Sequence, residues 1–449
     1  MQFQLTPDYI DKVNQLIANK DGNAIKELLL GVHFADIADL LEEIKSKEAT
    51  YLIKLLESEI TSEALMELDD DVREKILKRL SPEEIAQELE EMDTDDAADV
   101  VAELEDHIQK KVIDHIDDDE HASDIVELLT YDDDSAGALM AKELVQVKES
   151  WTVAGCVREM RRQAENVTRV HSIYVTDNDG KLTGRLSLKD LLTASANTHI
   201  SEVYIPKVDS VTVNTEDEEV ARIMQKYDLE AIPVVDEKGV LVGRITIDDI
   251  VDFIKEEAEK DYQMAAGISQ DVEADDSIIQ LTRARLPWLV LGLLGGLGSV
   301  YILQGFEEAL SHYPILFFFT PLIAAMAGNV GVQSSAIIVQ GLANDVVKGS
   351  LINRLLKEVG LALINGTILG LLVIIFGLIV GQDNLVSLTI AISMLMVIII
   401  ASLIGTFVPI ILDKKGIDPA IATGPFITTS NDIFGIFLFF YISKIILGF

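Results

Sequence analysis

The stretch that decides the architecture is NLVSLTIAISMLMVIIIASLIGTFVPIIL, residues 384–412, which contains no charged side chain. A helix crosses the ~30 Å hydrocarbon core of a bilayer in about 20 residues. The C-terminal part of the chain contains four further apolar runs of similar length. We therefore predict five membrane-spanning helices, at 286–304, 314–341, 357–381, 384–412 and 420–447.

The basic residues of this hydrophobic part indicate its orientation by the positive-inside rule. Seven of its eight Lys and Arg residues precede the first span or lie at the second and fourth loops. The exception, Lys444, lies near the outer end of the last span, where its long side chain can reach the interface. The first residues, MQFQLTPDYIDKVNQ, show no signal peptide. We expect a multi-pass protein of the cell (inner) membrane with a cytoplasmic N-terminus and an external C-terminus.

The first 276 residues differ sharply from the rest of the chain. They carry 28 basic and 67 acidic residues, which accounts for the whole formal net charge of −39. An acidic surface of this strength argues against binding to nucleic-acid phosphates or anionic lipid headgroups, and it attracts cations. Surplus acid also keeps a domain soluble, which is the alternative reading. The single cysteine, Cys156, excludes an intrachain disulfide.

Residues 1–130 show helical periodicity. The segments DIADLLEEI (36–44), EIAQELEEM (84–92) and DAADVVAEL (96–104) place apolar residues at helical spacing with acids on the opposite face. We expect stacked short helices in a solenoid-like N-domain. Asp96 and Asp99 fall on one helical face, where like charges repel unless a cation joins them. A solvated acidic face is the alternative interpretation.

An internal repeat occupies residues 131–254. IYVTDNDGKLTGRLSLKDLL (173–192) aligns with IPVVDEKGVLVGRITIDDIV (232–251) at a constant offset of 59 residues. Each copy reads as strand, turn, strand and helix, so the copies, at about 131–195 and 196–254, predict a pseudo-twofold α/β pair. The pattern resembles the CBS-domain pair, a regulatory module that often binds an adenine nucleotide such as ATP between its copies. Neither copy has a Gly-rich phosphate loop, so the sequence leaves the nucleotide open.

An acidic helix joins this repeat to the first span. DDIVDFIKEEAEKDY (248–262) crowds carboxylates onto a helical pattern, and TEDEEV (215–220) adds four consecutive acids between the repeats. We assign 255–283 to a linking helix and 284–449 to the membrane domain. Such a helix would couple ion occupancy of an acidic sensor to the membrane domain.

Asp432 lies inside the last span, in TTSNDIFGIFLFF (428–440). A carboxylate there costs about 2.5–3.5 kcal/mol on insertion scales, and no Lys or Arg occurs at its depth in the spans. Mg²⁺ prefers one or two carboxylates and keeps several waters. We therefore favour a cation site over a protonated structural carboxyl or a proton relay. Candidate lining residues are Asn329, Gln333, Thr428, Thr429 and Asn431, although Asn329 and Gln333 could equally make helix–helix hydrogen bonds.

These parts together resemble the MgtE family of Mg²⁺ channels and transporters over essentially the whole chain. The resemblance includes YDDDSAGALM (131–140), PLIAAMAGNVGVQSSAIIVQGLA (321–343) and GIDPAIATGPFITTSNDIFG (416–435). It implies a homodimer with the ion path at the subunit interface, where Asp432 binds the permeating ion. It also implies Mg²⁺ sites that hold the pore closed, assigned here to Asp95, Asp96, Asp99, Glu216, Glu218, Asp228, Asp248, Asp249, Asp252 and Glu257.

The resulting hypothesis is a multidomain protein with a solenoid-like α-helical N-domain, an α/β CBS pair and a polytopic α-helical membrane domain. It would be a Mg²⁺-selective channel or transporter, not an enzyme, driven by the membrane potential and closed by cytoplasmic Mg²⁺. No Walker A or HExxH pattern occurs, which argues against an ATP-driven pump or a zinc protease. The alternatives are a proton-coupled divalent-cation exporter and a membrane Mg²⁺ sensor without transport. The sequence does not separate Mg²⁺ from Mn²⁺, Co²⁺ or Ni²⁺.

Overall fold

The structure is a computed structural model that describes residues 4–163, 170, 172–270, 272, 274, 276–343, 347 and 350–448. The chain forms two compact units, Met1–Phe253 and Ile254–Phe449. The finer boundaries that we assigned at residues 130 and 195 stay predictions.

Short helices build the N-terminal part of the first unit. From α3 onward, helices two places apart pack on each other, so that α3 contacts α5, α5 contacts α7 and α7 contacts α9. Polar contacts repeat at the same interval, because Lys54–Glu84 and Arg73–Glu103 each join residues 30 positions apart. This stacking confirms the solenoid-like N-domain. The helices are α1 (Pro7–Ala18), α2 (Gly22–Leu29), α3 (Phe34–Glu43), α4 (Ser46–Ile53), α5 (Ser58–Met66), α6 (Asp70–Leu77), α7 (Pro82–Leu89), α8 (Thr94–Ala102), α9 (Asp106–Ile113) and α10 (Asp119–Leu128).

One carboxyl is buried between the stacked helices α5 and α7. Thr61 Oγ1 donates a hydrogen bond to Glu88 Oε2 at 2.6 Å, and Ser58 Oγ donates to Oε1 at 3.4 Å. Burial raises the pKa of Glu88 from its ordinary 4.5 to about 7, although both hydroxyls act in the opposite direction. Glu88 therefore fits this site best when it is protonated.

We expect the Glu88 contribution to stability to be fully present below about pH 4.5 and to be lost as the pH rises through about 7. A raised folded pKa means that ionisation is harder in the folded chain than in the unfolded one. Glu88→Gln, which cannot ionise, should therefore gain unfolding temperature relative to wild type between pH 5 and pH 8, which we would measure by thermal melts of the full chain. Glu27→Gln, an exposed position on α2, is the control, and a pH-independent difference for Glu88→Gln would contradict the prediction.

Two small sheets follow in the first unit, one for each repeat. In the first sheet, β1 pairs with β2 in parallel, β2 pairs with β3 antiparallel, and β4 pairs with β3. In the second sheet, β5 pairs with β6 in parallel and β6 with β7 antiparallel, which repeats the first two of these pairings. The elements are β1 (Val145–Lys148), α11 (Val153–Gln163), β2 (Ile173–Thr176), β3 (Leu182–Leu186), α12 (Leu188–Thr193), β4 (Ile205–Pro206), β5 (Val211–Thr212), α13 (Asp217–Tyr227), β6 (Ala231–Val235) and β7 (Leu241–Thr246).

The two copies meet through the turns of their hairpins. The amide of Leu182 donates to the Gly239 carbonyl at 3.0 Å, and the amide of Leu241 donates to the Gly180 carbonyl at 3.1 Å. These four residues are equivalent in pairs at the 59-residue offset of the repeat. The exchange of equivalent hydrogen bonds confirms the pseudo-twofold pair.

Among its described residues, the second unit contains five helices that are long and apolar enough to cross a membrane. This confirms the five predicted spans, and the third one begins earlier than predicted, at Leu351, because Ser350 is its N-cap. Helix α19 is central and packs against α17, α18 and α20, whereas α15 packs on α20. The helices are α15 (Ile278–Gly305), α16 (Glu307–His312), α17 (Ile315–Ala343), α18 (Leu351–Val380), α19 (Asn384–Asp413) and α20 (Gly424–Leu447).

The linking helix is shorter than the predicted 255–283 and begins earlier. It is α14 (Ile247–Ala266), while residues 278–283 belong to α15. The helix ends because Gly267 adopts a left-handed φ of +81°, which favours glycine. A Cβ at Gly267 would overlap the ring of Pro425, and a Cβ at Gly424 would overlap the carbonyl oxygen of Ala265. The end of α14 therefore contacts the first turn of α20 at two glycines, where no side chain keeps the helices apart.

Candidate functional site

Asp432 lies two turns into α20, against the backbone of α17. A Cβ added to Gly328 of α17 would lie 3.5 Å from Asp432 Oδ1 and 3.1 Å from Thr428 Cγ2. The missing side chain at Gly328 thus lets the face of α20 that carries Thr428 and Asp432 approach α17. Asp432 is half-buried, and within the described residues no basic group acts on its carboxyl. Among the described residues, its charge therefore has no counter-ion.

The other predicted lining residues divide into two groups. Asn329 and Gln333 are exposed and one helical turn apart on α17, and Asn329 directly follows Gly328. Thr428 and Asp432 are likewise one turn apart on α20. Each pair therefore shares one face of its own helix, and a surface common to all four residues stays a prediction.

Thr429 and Asn431 pack against glycines of α15 and α17, and their place beside the ion path stays a prediction. The methyl group of Thr429 packs against Gly295 of α15. Asn431 is 1% exposed, and its amide packs against Gly331 of α17. Successive residues of a helix point about 100° apart, so Thr429, Asn431 and Asp432 have different packing neighbours.

Sequence reasoning did not single out a second carboxyl inside the spans, Glu358 of α18. It is 9% exposed and accepts a hydrogen bond from Ser402 of α19. The insertion cost that drew attention to Asp432 applies to Glu358 as well, and this signal could have identified it.

A cluster of acids lies where α8 meets the start of α14 in the first unit. Burial raises the pKa of Asp95 well above its usual range, and the charges of Asp96 and Asp249 raise it further. Burial is the largest cause that raises the pKa of Asp96, and the negative charge of Asp249 is the next. Burial also raises the pKa of Asp249, against the hydrogen bonds that its Oδ2 accepts from the Thr246 amide at 3.1 Å and hydroxyl at 2.6 Å. The structure therefore brings together three predicted site residues whose negative charges oppose one another.

Polar contacts around this cluster fasten the N-domain to residues of both copies of the repeat. Thr94 donates from its amide and its hydroxyl to Glu143 Oε2, at 3.2 and 2.9 Å. The guanidinium of Arg244, which is 5% exposed, lies 3.3 Å from Asp93 Oδ2. Glu63, Asp93 and Glu143 all influence the pKa values of the cluster, and we did not predict them because no local pattern links them.

The remaining predicted acids lie outside the buried cluster. Asp99 is exposed, although its charge still raises the pKa of Asp96. Glu257 pairs with Lys260 at 2.7 Å. Among the described residues, no three His, Cys, Asp or Glu side chains converge into a preformed metal cage. The other acids, all exposed, are Glu216, Glu218, Asp228, Asp248 and Asp252.

A further pair of carboxyls lies beside the joint between α14 and α20. Burial and the charge of Asp418 raise the pKa of Asp261. Asp418 precedes α20 and caps the short 3₁₀ turn Pro419–Ala422, because its Oδ1 accepts from the Ala420 amide at 2.7 Å. Negative charge therefore accumulates at this joint as well.

A cleft of about 230 Å³ lies in the first repeat, and Arg185 and Ser187 supply polar groups to it. Ser187 Oγ donates to Asp190 Oδ2 at 2.6 Å. Thr246 and Asp249 repeat this arrangement at the equivalent positions of the second copy. The same local motif thus borders a cleft in one copy and the acidic cluster in the other.

Family models match three successive parts of the chain. The family model for MgtE divalent cation transporters matches residues 320–442, the MgtE intracellular N domain matches 32–134, and the CBS domain matches 136–197 and 200–256. The chain is 36% identical over 317 residues to the magnesium transporter MgtE of Bacillus subtilis, which covers 70% of each chain. It is 36% identical over 324 residues to the magnesium transporter MgtE of Thermus thermophilus, covering 71% of this chain and 72% of that protein.

A solved structure resembles the first part of the chain. The cytosolic domain of the Mg²⁺ channel MgtE in complex with ATP is 35% identical, with a TM-score of 0.52. The match covers 54% of this chain and 99% of that domain.

Proposed function

Since the chain belongs to the MgtE family of magnesium transporters, we propose that it carries Mg²⁺ across the membrane along a path containing Asp432. We further propose that cytoplasmic Mg²⁺, bound by the acidic cluster, closes this path. The observation that carries the proposal is the half-buried carboxyl of Asp432, which has no counter-ion among the described residues. A buried charge without a partner is unfavourable, and a cation supplies the missing charge.

The exposed amides beside Asp432 support a path at a subunit interface. Asn329 and Gln333 would face hydrocarbon if α17 were covered by lipid, and polar side chains in spans usually face protein or water. A second copy of the chain in a homodimer would cover this surface and enclose the path. It would also bring a second Asp432 to the path, which matches the preference of Mg²⁺ for one or two carboxylates and several waters.

The acidic cluster supports closure by Mg²⁺. A cation between α8 and α14 would offset the repulsion among Asp95, Asp96 and Asp249 and hold the N-domain on the second repeat. When Mg²⁺ is scarce, the same charges would repel one another. The contact between the end of α14 and the first turn of α20 would transmit the difference to the helix that carries Asp432.

The first unit would lie in the cytoplasm, as the distribution of basic residues predicts. Mg²⁺ would then enter down the membrane potential, which contributes about 2.3 kcal/mol per charge per 100 mV and twice this for a divalent ion.

The proposed function is tested with the purified chain in liposomes. We expect Mg²⁺ uptake that follows an imposed voltage and falls as Mg²⁺ on the side of the first unit increases. Uptake that follows a pH gradient instead of voltage would favour a proton-coupled exporter. Mg²⁺ binding without uptake would favour a sensor. Parallel uptake measurements with Mn²⁺, Co²⁺ and Ni²⁺ would establish selectivity.

We expect Arg185→Ala to weaken ATP binding to the full chain by roughly tenfold. Hydrogen bonds from a charged guanidinium to phosphate are stronger than those between neutral groups. The reason is that the cleft of the first repeat offers the Arg185 guanidinium to an anionic ligand. Titration calorimetry at fixed Mg²⁺ would measure the affinity, and Arg79→Ala, at an exposed position, is the control. Unchanged ATP affinity in the Arg185 variant would assign the nucleotide to another site.

A further inference from the structure

Glu358 is a buried carboxyl of the membrane domain that the proposed ion path does not use. It lies two turns into α18 and is 9% exposed. Within the described part of the chain it forms no ion pair, although Arg354 and Lys357 precede it on the same helix. A carboxyl in such surroundings is expensive unless hydrogen bonds satisfy it.

Hydroxyl groups from two other helices satisfy Glu358. Ser402 Oγ of α19 donates to Glu358 Oε2 at 2.8 Å. Ser334 Oγ of α17 lies 3.4 Å from the same oxygen and 3.2 Å from Ser402 Oγ. One carboxyl oxygen therefore joins α17, α18 and α19, and we call Glu358, Ser334 and Ser402 the carboxyl–serine cluster.

This cluster lies beside the closest approach of α17 and α19. A Cβ at Gly405 of α19 would overlap the carbonyl oxygen of Gly331 and lie 3.1 Å from Ser334 Cβ. Gly331 packs on its other side against Ile427 of α20, where an added Cβ would lie 2.8 Å from Ile427 Cγ2. The position of α17 relative to α20 therefore depends on a crossing that the cluster borders.

We propose that Glu358 is a positioning residue for the ion path. Its Oε2 accepts hydrogen bonds that hold α17 against α18 and α19, so that Gly328 stays beside Asp432. These contacts require an acceptor oxygen at Glu358 and do not require its negative charge. Both hydroxyls approach Oε2, and among the described residues no basic side chain pairs with the carboxyl. This inference rests on the proposed function for its effect on transport, but not for its effect on helix packing.

Two nearly isosteric substitutions separate the acceptor from the charge. Glu358→Gln keeps a carbonyl oxygen and removes the charge, whereas Glu358→Met removes both. We expect Mg²⁺ uptake in liposomes within about twofold of wild type for Glu358→Gln and a loss of roughly tenfold or more for Glu358→Met, since a tenfold change needs only about 1.4 kcal/mol. We also expect Glu358→Met to lower the preference for Mg²⁺ over Ca²⁺, because Asp432 is no longer held in place.

Ser402→Ala removes one donor, with Ser393→Ala as its matched control. Ser393 lies on the same helix and is fully buried, and its hydroxyl has no hydrogen-bond partner among the described residues. We expect Ser402→Ala to reduce uptake less than Glu358→Met does, and Ser393→Ala to leave uptake unchanged. The inference is overturned if Glu358→Met transports like wild type, or if Glu358→Gln loses as much uptake as Glu358→Met.

A measurement of stability, which does not depend on transport, tests this inference separately from the proposed function. Thermal unfolding of the full chain in detergent is measured for Glu358→Met, Ser402→Ala and the double variant. The double variant should lower the unfolding temperature by less than the sum of the single shifts, as expected for contacting residues. Additive shifts overturn the inference even if the wild type transports Mg²⁺. A wild type that takes up no Mg²⁺ overturns the proposed function, while coupled shifts would still support the packing role.

Discussion

Asp432→Asn protein in liposomes is expected to take up Mg²⁺ at about one-hundredth of the wild-type rate or less, a change that corresponds to roughly 2.7 kcal/mol. Asparagine has nearly the same size, so the packing against Gly328 and Thr428 is retained while the charge is lost. In the proposed path, Asp432 is the carboxylate that each copy of the chain would contribute. Its charge should therefore be what draws the ion out of bulk water.

Asp383→Asn is the matched control for this experiment. Asp383 lies in the same unit, and its Oδ1 caps α19 by accepting from the amides of Leu385 at 2.9 Å and Val386 at 3.1 Å. Asparagine can keep these hydrogen bonds, so uptake should be close to wild type. The unfolding temperature of Asp432→Asn should not decrease, because a half-buried charge has been removed. Normal uptake by a folded Asp432→Asn protein would exclude Asp432 from the path.

The double variant Asp96→Asn/Asp249→Asn is expected to keep transporting at concentrations of Mg²⁺ that close the wild type. Two effects compete in this variant. Neutral side chains no longer repel, which favours the docked N-domain, but they also no longer bind a bridging divalent ion. We expect the loss of the bridge to dominate, since a divalent ion attracts both carboxylates while their mutual repulsion is a single pairwise interaction. The half-inhibitory Mg²⁺ concentration should increase by roughly tenfold or more, again a matter of about 1.4 kcal/mol.

Uptake as a function of Mg²⁺ on the side of the first unit measures this effect, and Asp11→Asn on α1 is the control because its side chain is exposed and distant in sequence from the cluster. Wild-type closure in the double variant would refute the bridging model. Low uptake at every Mg²⁺ concentration would also refute it, because repulsion alone would then be what separates the domains in the wild type.

Much of the architecture could be predicted because its signals are local. Long apolar runs identify the spans, and the 59-residue repeat identifies the paired α/β copies. The linking helix was misplaced because the acidic helical pattern does not show where a left-handed residue such as Gly267 ends the helix. The error shows that a helix boundary can depend on one backbone conformation that sequence periodicity does not reveal.

The candidate sites were less accessible to prediction, because they depend on how helices rotate and meet. The sequence identifies Asp432 because a carboxylate inside a membrane span is costly. Which residues surround Asp432 depends on which side of α20 packs on α17. The packing neighbours of Thr429 and Asn431 could not be predicted for this reason. Glu143 joins the acidic cluster from a position 49 residues after Thr94, a contact that arises only from the tertiary fold. The roles assigned to all these residues stay predictions until transport is measured.

The joint between α14 and α20 also constrains the order in which the protein can be completed during synthesis. Ala265 and Gly267 rest on Gly424 and Pro425, so the ribosome must add more than 150 further residues before the partner surface exists. A nascent chain that has inserted its first four spans still leaves the end of α14 uncovered, and contacts between such distant segments form late. The contact between α14 and the helix that carries Asp432 is therefore among the last features that the folding chain acquires.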